Sequence, residues 1–221
     1  VHEPDIALDR VVADADDASA DRMASVTITD TADCLRALGR LDDAAATYEK
    51  TIKLDEKKGR TRDIAAGKFQ LGTVRLYQQR YAEALDDGPL EQWPECFAEN
   101  CLYLIIPREN VERGRPLAIM RCESRAMLKD RARAIRETMM YEARYVRHQI
   151  TNVRVLQVDA AIHAEANYVV FEVLADELPK ILSVGRSIDL IERSADGALR
   201  FRDKRVVYDS VLVPNSIIYP L

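Results

Sequence analysis

The stretch that decides the fold, residues 91–131, reads EQWPECFAENCLYLIIPRENVERGRPLAIMRCESRAMLKDR. It begins with a tryptophan in a helical turn, and residues 101–106 then form an unbroken apolar run. Such a run predicts a strand that is covered on both faces. Ser124 precedes an apolar stripe, so we expect it to cap an amphipathic helix that reaches about Tyr141. The stripe consists of Leu128, Ala132, Ile135 and Met139.

The sequence that follows this stretch predicts a sheet. Four segments rich in β-branched and aromatic residues indicate strands, at residues 153–158, 163–174, 181–191 and 200–212. Asp196-Gly197 predicts a hairpin turn between the last two. Gly185 lies alone in a predicted strand, where it favours a bulge or bend in a curved sheet. Helices followed by a run of antiparallel strands indicate an α+β fold with helices on one face of the sheet.

The first 80 residues predict helices instead. Leu41 aligns with Tyr81 and Ala44 with Ala84, each at a spacing of forty, and Leu71 is followed by Gly72. This pattern resembles a tetratricopeptide repeat, in which small residues let antiparallel helices approach closely. An ordinary helical hairpin explains it equally well. Residues 1–22 are rich in Asp and Ala, and we expect them to be partly disordered. The turn at residues 86–89, DDGP, marks the change from predicted helices to predicted strands.

Composition and charge exclude several classes of protein. The net charge of −5 over 221 residues argues against a nucleic-acid-binding protein. No apolar run approaches the roughly 20 residues that span a bilayer, which argues against a membrane protein. The four cysteines form no C-x-x-C pair, and a reduced, cytoplasmic chain is expected. Residues 107–147 hold eleven basic and six acidic side chains, which predicts ion pairs within the chain or between subunits.

No motif of the sequence indicates catalysis or metal binding. A Rieske cluster needs Cys-x-His or Cys-x-x-His elements, which the sequence lacks. His148 and His163 are more simply explained as hydrogen-bonded structural residues than as iron ligands. A conical α+β sheet could still carry out acid–base chemistry at its mouth. The candidate side chains for an isomerase or dehydratase are Tyr103, Asp130, His148 and Asn167, and the simpler explanation pairs such residues with arginines.

An ordered set of short motifs carries a family resemblance. They include Leu-Asp-Asp-Gly at 85–88, Gln-Trp-Pro at 92–94, Ile-Pro-Arg-Glu-Asn at 106–110, Met-Leu-Lys-Asp-Arg at 127–131, Tyr-Val-Arg-His at 145–148 and Val-Gly-Arg at 184–186. Over residues 81–221 the chain resembles the small (beta) subunit of aromatic-ring-hydroxylating dioxygenases. Its last residues, 209–221, are most similar to subunits that act with hydroxylases of benzoate-like acids such as salicylate or anthranilate.

The resemblance implies a nuclear-transport-factor-2-like (cystatin-like) fold, a curved antiparallel sheet wrapping helices. It also implies a non-catalytic chain without cofactor or metal, in an α3β3 hexamer. The alpha subunit would carry a Rieske [2Fe-2S] cluster and a mononuclear iron, and NADH electrons would reach it through a reductase and a ferredoxin. Residues expected to be structural or to lie at subunit interfaces are Trp93, Arg108, Glu109, Asn110, Arg131, His148 and Arg186. The basic helix after Ser124 is a further expected contact.

The N-terminal segment departs from the family pattern, in which a short helical lead is usual. A natural fusion, a chimera joined near Arg80 and a gene-boundary artefact all remain open. A third hypothesis beside the subunit and the stand-alone enzyme is therefore an adaptor protein, in which the helical repeats bind partners.

Overall fold

The computed structural model describes residues 62–213 and 217–221, and before them residues 27–28, 30–35, 38, 40, 43–44 and 46–50. The segment expected to be disordered, 1–22, and Leu41 lie outside the described residues. The chain divides into two compact units, residues 1–76 and 77–221. The boundary predicted at residue 80 lies four residues after the observed boundary at residue 76. Both positions fall inside the helix Arg62–Asp86.

The described parts of the first unit are helical. Ala32, Ala44 and Tyr48 form a small apolar cluster. A Cβ atom added at Gly72 would lie 2.6 Å from the Tyr48 ring. Glycine is therefore needed for this close approach, and the approach is what the Leu-Gly pattern predicts of neighbouring helices.

Helices and strands follow one another from residue 62 onward. The helices are α1 (Arg62–Asp86), α2 (Arg108–Glu112) and α3 (Arg125–Thr138), with a 3-10 helix at Leu90–Cys96. The strands are β1 (Phe97–Pro107), β2 (Met120–Cys122), β3 (Arg144–Val158), β4 (Ile162–Leu174), β5 (Lys180–Arg193) and β6 (Leu199–Tyr208). The predicted α+β class is confirmed.

The six strands form one sheet in the order β2-β1-β6-β5-β4-β3. Strands β3 to β6 form an antiparallel meander with long regular registers. Strand β6 then lies parallel to β1, with Tyr103 opposite Lys204. The sheet is therefore mixed, whereas the sequence predicted antiparallel pairing alone. A parallel pair needs a long connection, and here the chain from α2 to β5 supplies it.

Element boundaries agree with the sequence to different extents. Ser124 caps α3 as predicted, because its hydroxyl accepts a hydrogen bond from the N–H of Met127 at 3.3 Å. The helix ends at Thr138 rather than near Tyr141, since Met139 is extended. Strand β3 starts at Arg144, well before the predicted residue 153. The alternating burial from Arg144 to His148 is the signal for that earlier start.

The core of the second unit lies between the helices and one face of the sheet, here called the inner face. Tyr81 of α1 and Trp93 of the 3-10 helix meet Phe97, Tyr103 and Phe201 of the sheet. Ring centroids lie 5.4 Å apart for both Trp93–Tyr103 and Phe97–Phe201. All five side chains are almost completely buried. Trp93 is therefore a core residue, and the cone of the sheet is filled by aromatic rings.

Gly185 is required by close packing rather than by a bulge. It pairs in regular register with Tyr168 and Tyr208. The register shift of β5 against β4 lies elsewhere, where Phe171 pairs with Ile181. A Cβ atom at Gly185 would lie 2.0 Å from the carbonyl oxygen of Val207. The absence of a side chain lets the backbone of β6 approach β5 this closely.

Candidate functional site

The turn at residues 108–110 is closed by contacts within the chain. Arg108 forms an ion pair with Asp209 at 2.8 Å. Glu109 lies 3.5 Å from Arg113. The side-chain amide of Asn110 donates to the carbonyl oxygen of Leu117 at 2.7 Å. These three residues, which the sequence singled out, therefore fix the connection after β1.

Arg131 holds the last described segment, residues 217–221. Its Nη2 donates to the carbonyl oxygens of Ile217 and Ile218 at 3.2 and 2.8 Å. Beyond these residues Leu221 is only 2% exposed. The Tyr81 hydroxyl donates to the Leu221 carbonyl oxygen at 2.6 Å, and the Leu221 N–H donates to the Tyr103 hydroxyl oxygen at 2.9 Å. Burial raises the pKa of both tyrosines. The chain's own residues thus occupy the interior beside these phenols.

His148 on β3 forms a buried pair with Asp86, the last residue of α1. The ring Nδ1 lies 2.6 Å from Oδ1, and the backbone N–H donates to Oδ2 at 2.8 Å. The ring Nε2 is buried and has no hydrogen-bond partner among the described residues. The pair joins the end of α1 to the sheet.

A buried polar network that the sequence did not reveal lies on the inner face. The Lys204 ammonium is 3.2 Å from Asp189 Oδ1 and 3.2 Å from Gln78 Oε1. The Ser187 hydroxyl donates to Asp189 Oδ2 at 2.9 Å. The ammonium also lies 4.4 Å from the centre of the Tyr81 ring. Burial lowers the pKa of Lys204, and the carboxylate of Asp189 opposes that shift.

The inward position of Lys204 was hidden by an irregularity in the strand. The register of β5 against β6 shifts between Leu190 and Ile191. Phe201 and Lys204 therefore both face inward, although they lie three positions apart along β6. Strict alternation places them on opposite faces. The sequence held one signal for this network: Ser187 and Asp189 alternate with Ile188 and Leu190 along β5.

The four residues of the stand-alone enzyme hypothesis have different surroundings. Tyr103 is in the core, Asp130 is exposed on α3, and Asn167 is exposed on β4. His148 faces the end of α1. An open cavity of about 390 Å³ is lined by other residues: Asn100, Cys101, Leu102, Glu123, Leu190, Arg202 and Asp203. The geometry therefore does not favour the acid–base site.

Three basic side chains of α3 form ion pairs within the chain. Arg125 lies 2.9 Å from Glu99, and Lys129 lies 2.9 Å from Glu95. Arg136 contacts Glu91. In the described ranges, no three His, Cys, Asp or Glu side chains come close enough to hold a metal ion. Nor does any helix of these ranges have the length and apolar character to cross a membrane.

Arg186 differs from the other six candidates. Trp93 is packed in the core, and the other five have a polar partner in the chain. Arg186 forms no ion pair or hydrogen bond with any described residue, and its Nε is buried. It lies on β5 opposite Asn167 of β4 and Val207 of β6, on the face of the sheet away from the aromatic core. This face is called the outer face below.

Comparisons with known proteins agree on one family. The family model described as "Ring hydroxylating beta subunit" matches residues 80–215. The anthranilate 1,2-dioxygenase small subunit of Burkholderia cepacia is 36% identical over 149 residues, which are 67% of this chain and 92% of that protein. A terephthalate 1,2-dioxygenase beta subunit of Comamonas is 28% identical over 67% of this chain and 96% of its own length.

Solved structures show the same similarity. A beta subunit assigned to an aromatic-ring-hydroxylating dioxygenase of Novosphingobium aromaticivorans superposes with a TM-score of 0.61 at 33% identity. The match covers 68% of this chain and 95% of that one. The benzoate 1,2-dioxygenase beta subunit of Burkholderia mallei has a TM-score of 0.55 at 18% identity over 73% and 99% of the two chains, which supports the fold alone. The match to the family model leaves residues 1–79 uncovered.

Proposed function

The chain belongs to the ring-hydroxylating beta-subunit family, with its nuclear-transport-factor-2-like fold, and is the small subunit of an aromatic-ring-hydroxylating dioxygenase; we propose that it supports an alpha subunit acting on a benzoate-like acid such as anthranilate or salicylate. One observation carries the supporting role. The cone of the sheet, where this fold could hold a substrate, is filled by Trp93, Tyr103, Phe201 and Leu221. This subunit therefore contributes a rigid surface to the enzyme.

The chemistry is assigned to the partner subunit. A Rieske [2Fe-2S] cluster and a mononuclear iron would both lie in the alpha subunit, and NADH electrons would reach them through a reductase and a ferredoxin. In the described residues His148 is engaged by Asp86, and Cys101 and Cys122 are buried beside apolar residues, so these side chains do not form a fitting ligand set. Burial raises the pKa of the Cys101 thiol to about 11, which disfavours the thiolate that binds iron.

Co-expression with a Rieske-type alpha subunit encoded beside this chain tests the proposal. We expect a complex with the mass of an α3β3 hexamer by light scattering. Anthranilate, salicylate and benzoate should then be compared as substrates with reductase, ferredoxin and NADH. The isolated chain should bind no iron and should turn over none of the three acids. Stoichiometric iron in the isolated chain, or failure to associate, would contradict the proposal.

We further propose that residues 1–80 form a tetratricopeptide-like accessory segment. The close approach of Gly72 to Tyr48 supports it. Gly72→Val should separate these two helices and lower the helical content seen by circular dichroism. If the segment is accessory, the variant still binds the alpha subunit. Loss of that binding would instead favour an adaptor in which the repeats hold the partner.

A further inference from the structure

The outer face of the sheet carries a strip of partly exposed apolar side chains around Arg186. On β5, Ser183, Gly185 and Ser187 are buried on the inner face, so the residues between them face outward. Val184 is 40% exposed and Ile181 is 61% exposed. The Arg186 surface is defined here by six residues: Ile181, Val184, Arg186 and Ile188 of β5, with Val169 and Phe171 of β4.

Strand pairing makes this strip continuous. Val184 pairs with Val169, and Ile181 pairs with Phe171. Arg186 follows on the same side of β5, between Val184 and Ile188. A long cationic side chain therefore stands among aliphatic side chains. Apolar area around a central arginine is typical of the energetically important part of a protein interface.

The charge of Arg186 has no counter-ion in the part of the chain that is described. Its Nε is buried without a hydrogen-bond partner. The neighbouring arginines behave differently. Arg154 lies 2.8 Å from Glu165, and Arg205 lies 2.7 Å from Asp203. A partly buried guanidinium without a carboxylate costs stability, because burial removes water that no protein group replaces.

The missing group is therefore a carboxylate from outside the described chain. A two-fold packing of this face on a second copy would not supply one. In such an interface each copy presents the same patch, and the described carboxylates around it, Glu165, Asp203 and Asp209, are already paired. The surface fits a different chain, one with apolar side chains for Val184 and Ile181 and an acidic residue for the guanidinium.

We propose that the Arg186 surface docks an apolar segment of the oxygenase alpha subunit that places an Asp or Glu carboxylate against Arg186. This inference rests on the proposed function, which supplies the partner. The guanidinium offers two parallel N–H donors to a carboxylate, and docking excludes water from the pair. The cost carried by the isolated subunit is thereby recovered in the complex.

Three variants test the inference: Arg186→Met, Arg186→Lys and the control Arg154→Met. The control removes an outer-face arginine that is already paired and is 62% exposed. The dissociation constant for the alpha subunit should rise at least about 30-fold in Arg186→Met, since a partner carboxylate loses its ion pair. The dissociation constant of Arg186→Lys should lie between those of the wild type and Arg186→Met. Lysine keeps the positive charge but lacks the two parallel N–H donors of the guanidinium. Arg154→Met should change the constant by less than about threefold.

Thermal unfolding of the isolated chain separates docking from a structural role. The midpoint of Arg186→Met should equal or exceed that of the wild type, because an uncompensated cation has been removed. A markedly lower midpoint, or unchanged affinity for the alpha subunit, would overturn the inference. A self-associated wild-type chain that becomes monomeric in Arg186→Met would overturn it too, by identifying a second copy as the occupant. Failure of the wild type itself to bind any alpha subunit refutes the proposed function first.

Discussion

The carboxylate of Asp86 receives two bonds from His148, one at 2.6 Å from the ring and one at 2.8 Å from the backbone N–H. Asp86 is the last residue of α1, where a negative charge opposes the helix dipole. The two bonds from β3 offset this unfavourable position. They also fix where the end of the helix meets the edge strand of the sheet.

Asp86→Asn should weaken this junction. The amide keeps the size of the carboxylate but cannot accept at both oxygens, so a buried donor of His148 loses its partner. We expect the free energy of unfolding, measured in urea, to fall by about 1–3 kcal/mol. Asp87→Asn is the matched control, because Asp87 is 69% exposed in its ion pair with Arg147. Its effect should stay below about 0.5 kcal/mol, and equal losses in both variants would contradict the importance of the His148 contact.

Gly185→Ala should disrupt the pairing of β5 and β6. The added Cβ would lie 2.0 Å from the carbonyl oxygen of Val207, so the backbone of one strand must move. We expect a loss on the order of 3 kcal/mol or more, seen as a lower urea midpoint or as insoluble protein. Gly114→Ala is the comparison, since Gly114 has φ of +63° but open space around it. It should cost only about 1 kcal/mol. A soluble Gly185→Ala protein with the wild-type midpoint would show that β6 shifts freely.

Lys204→Met should lower the free energy of unfolding more than the double variant that replaces both Lys204 and Asp189. The single variant leaves Asp189 buried with its charge uncompensated, and a loss of about 3–5 kcal/mol is expected. The double variant Lys204→Met/Asp189→Leu removes both charges and should recover much of that loss. Lys129→Met serves as control, because Lys129 and its partner Glu95 are both 53% exposed. A double variant no more stable than the single one would mean that the network around Gln78 and Ser187 needs the charges.

Alkaline pH should destabilise the second unit. Burial raises the pKa of five tyrosines above the ordinary value of 10.0; they are Tyr77, Tyr81, Tyr103, Tyr168 and Tyr208. It also raises the pKa of Cys122 above 9.0, and that of Cys96 and Cys101 from 9.0 to about 11. Each group holds its proton more tightly when folded, so its contribution is complete below the unfolded pKa and is lost as the pH rises through the folded value.

The lowered pKa of Lys204 acts in the opposite direction, since loss of its proton favours the folded chain, but it is one group against eight. The urea concentration at the unfolding midpoint should therefore decrease as the pH is raised from about 9 to about 11. Absorbance of ionised tyrosine should rise together with the unfolding transition. Tyr168→Phe should reduce the pH dependence, and the exposed Tyr141→Phe should not. Tyrosine ionisation well before unfolding would show that the rings are accessible to hydroxide.

Local signals predicted much of the fold. The apolar run at residues 101–106 and the Ser124 cap act over a few neighbouring residues, and both appear in the structure as expected. Strand irregularities were not predictable, because a register shift depends on the partner strand. That is why the inward position of Lys204 could not be predicted from the sequence.

By itself the sequence determined the class, the family motifs and the seven residues expected to be structural or to form an interface. Short-range patterns carry that information, since alternation, caps and turns are set by adjacent side chains. Only the tertiary structure decided how those seven differ. Whether a charge is paired depends on residues distant in the chain, as Arg131 with Ile218 and His148 with Asp86 show. The same packing leaves Arg186 without a described counter-ion on an apolar face, a relation that no local pattern records.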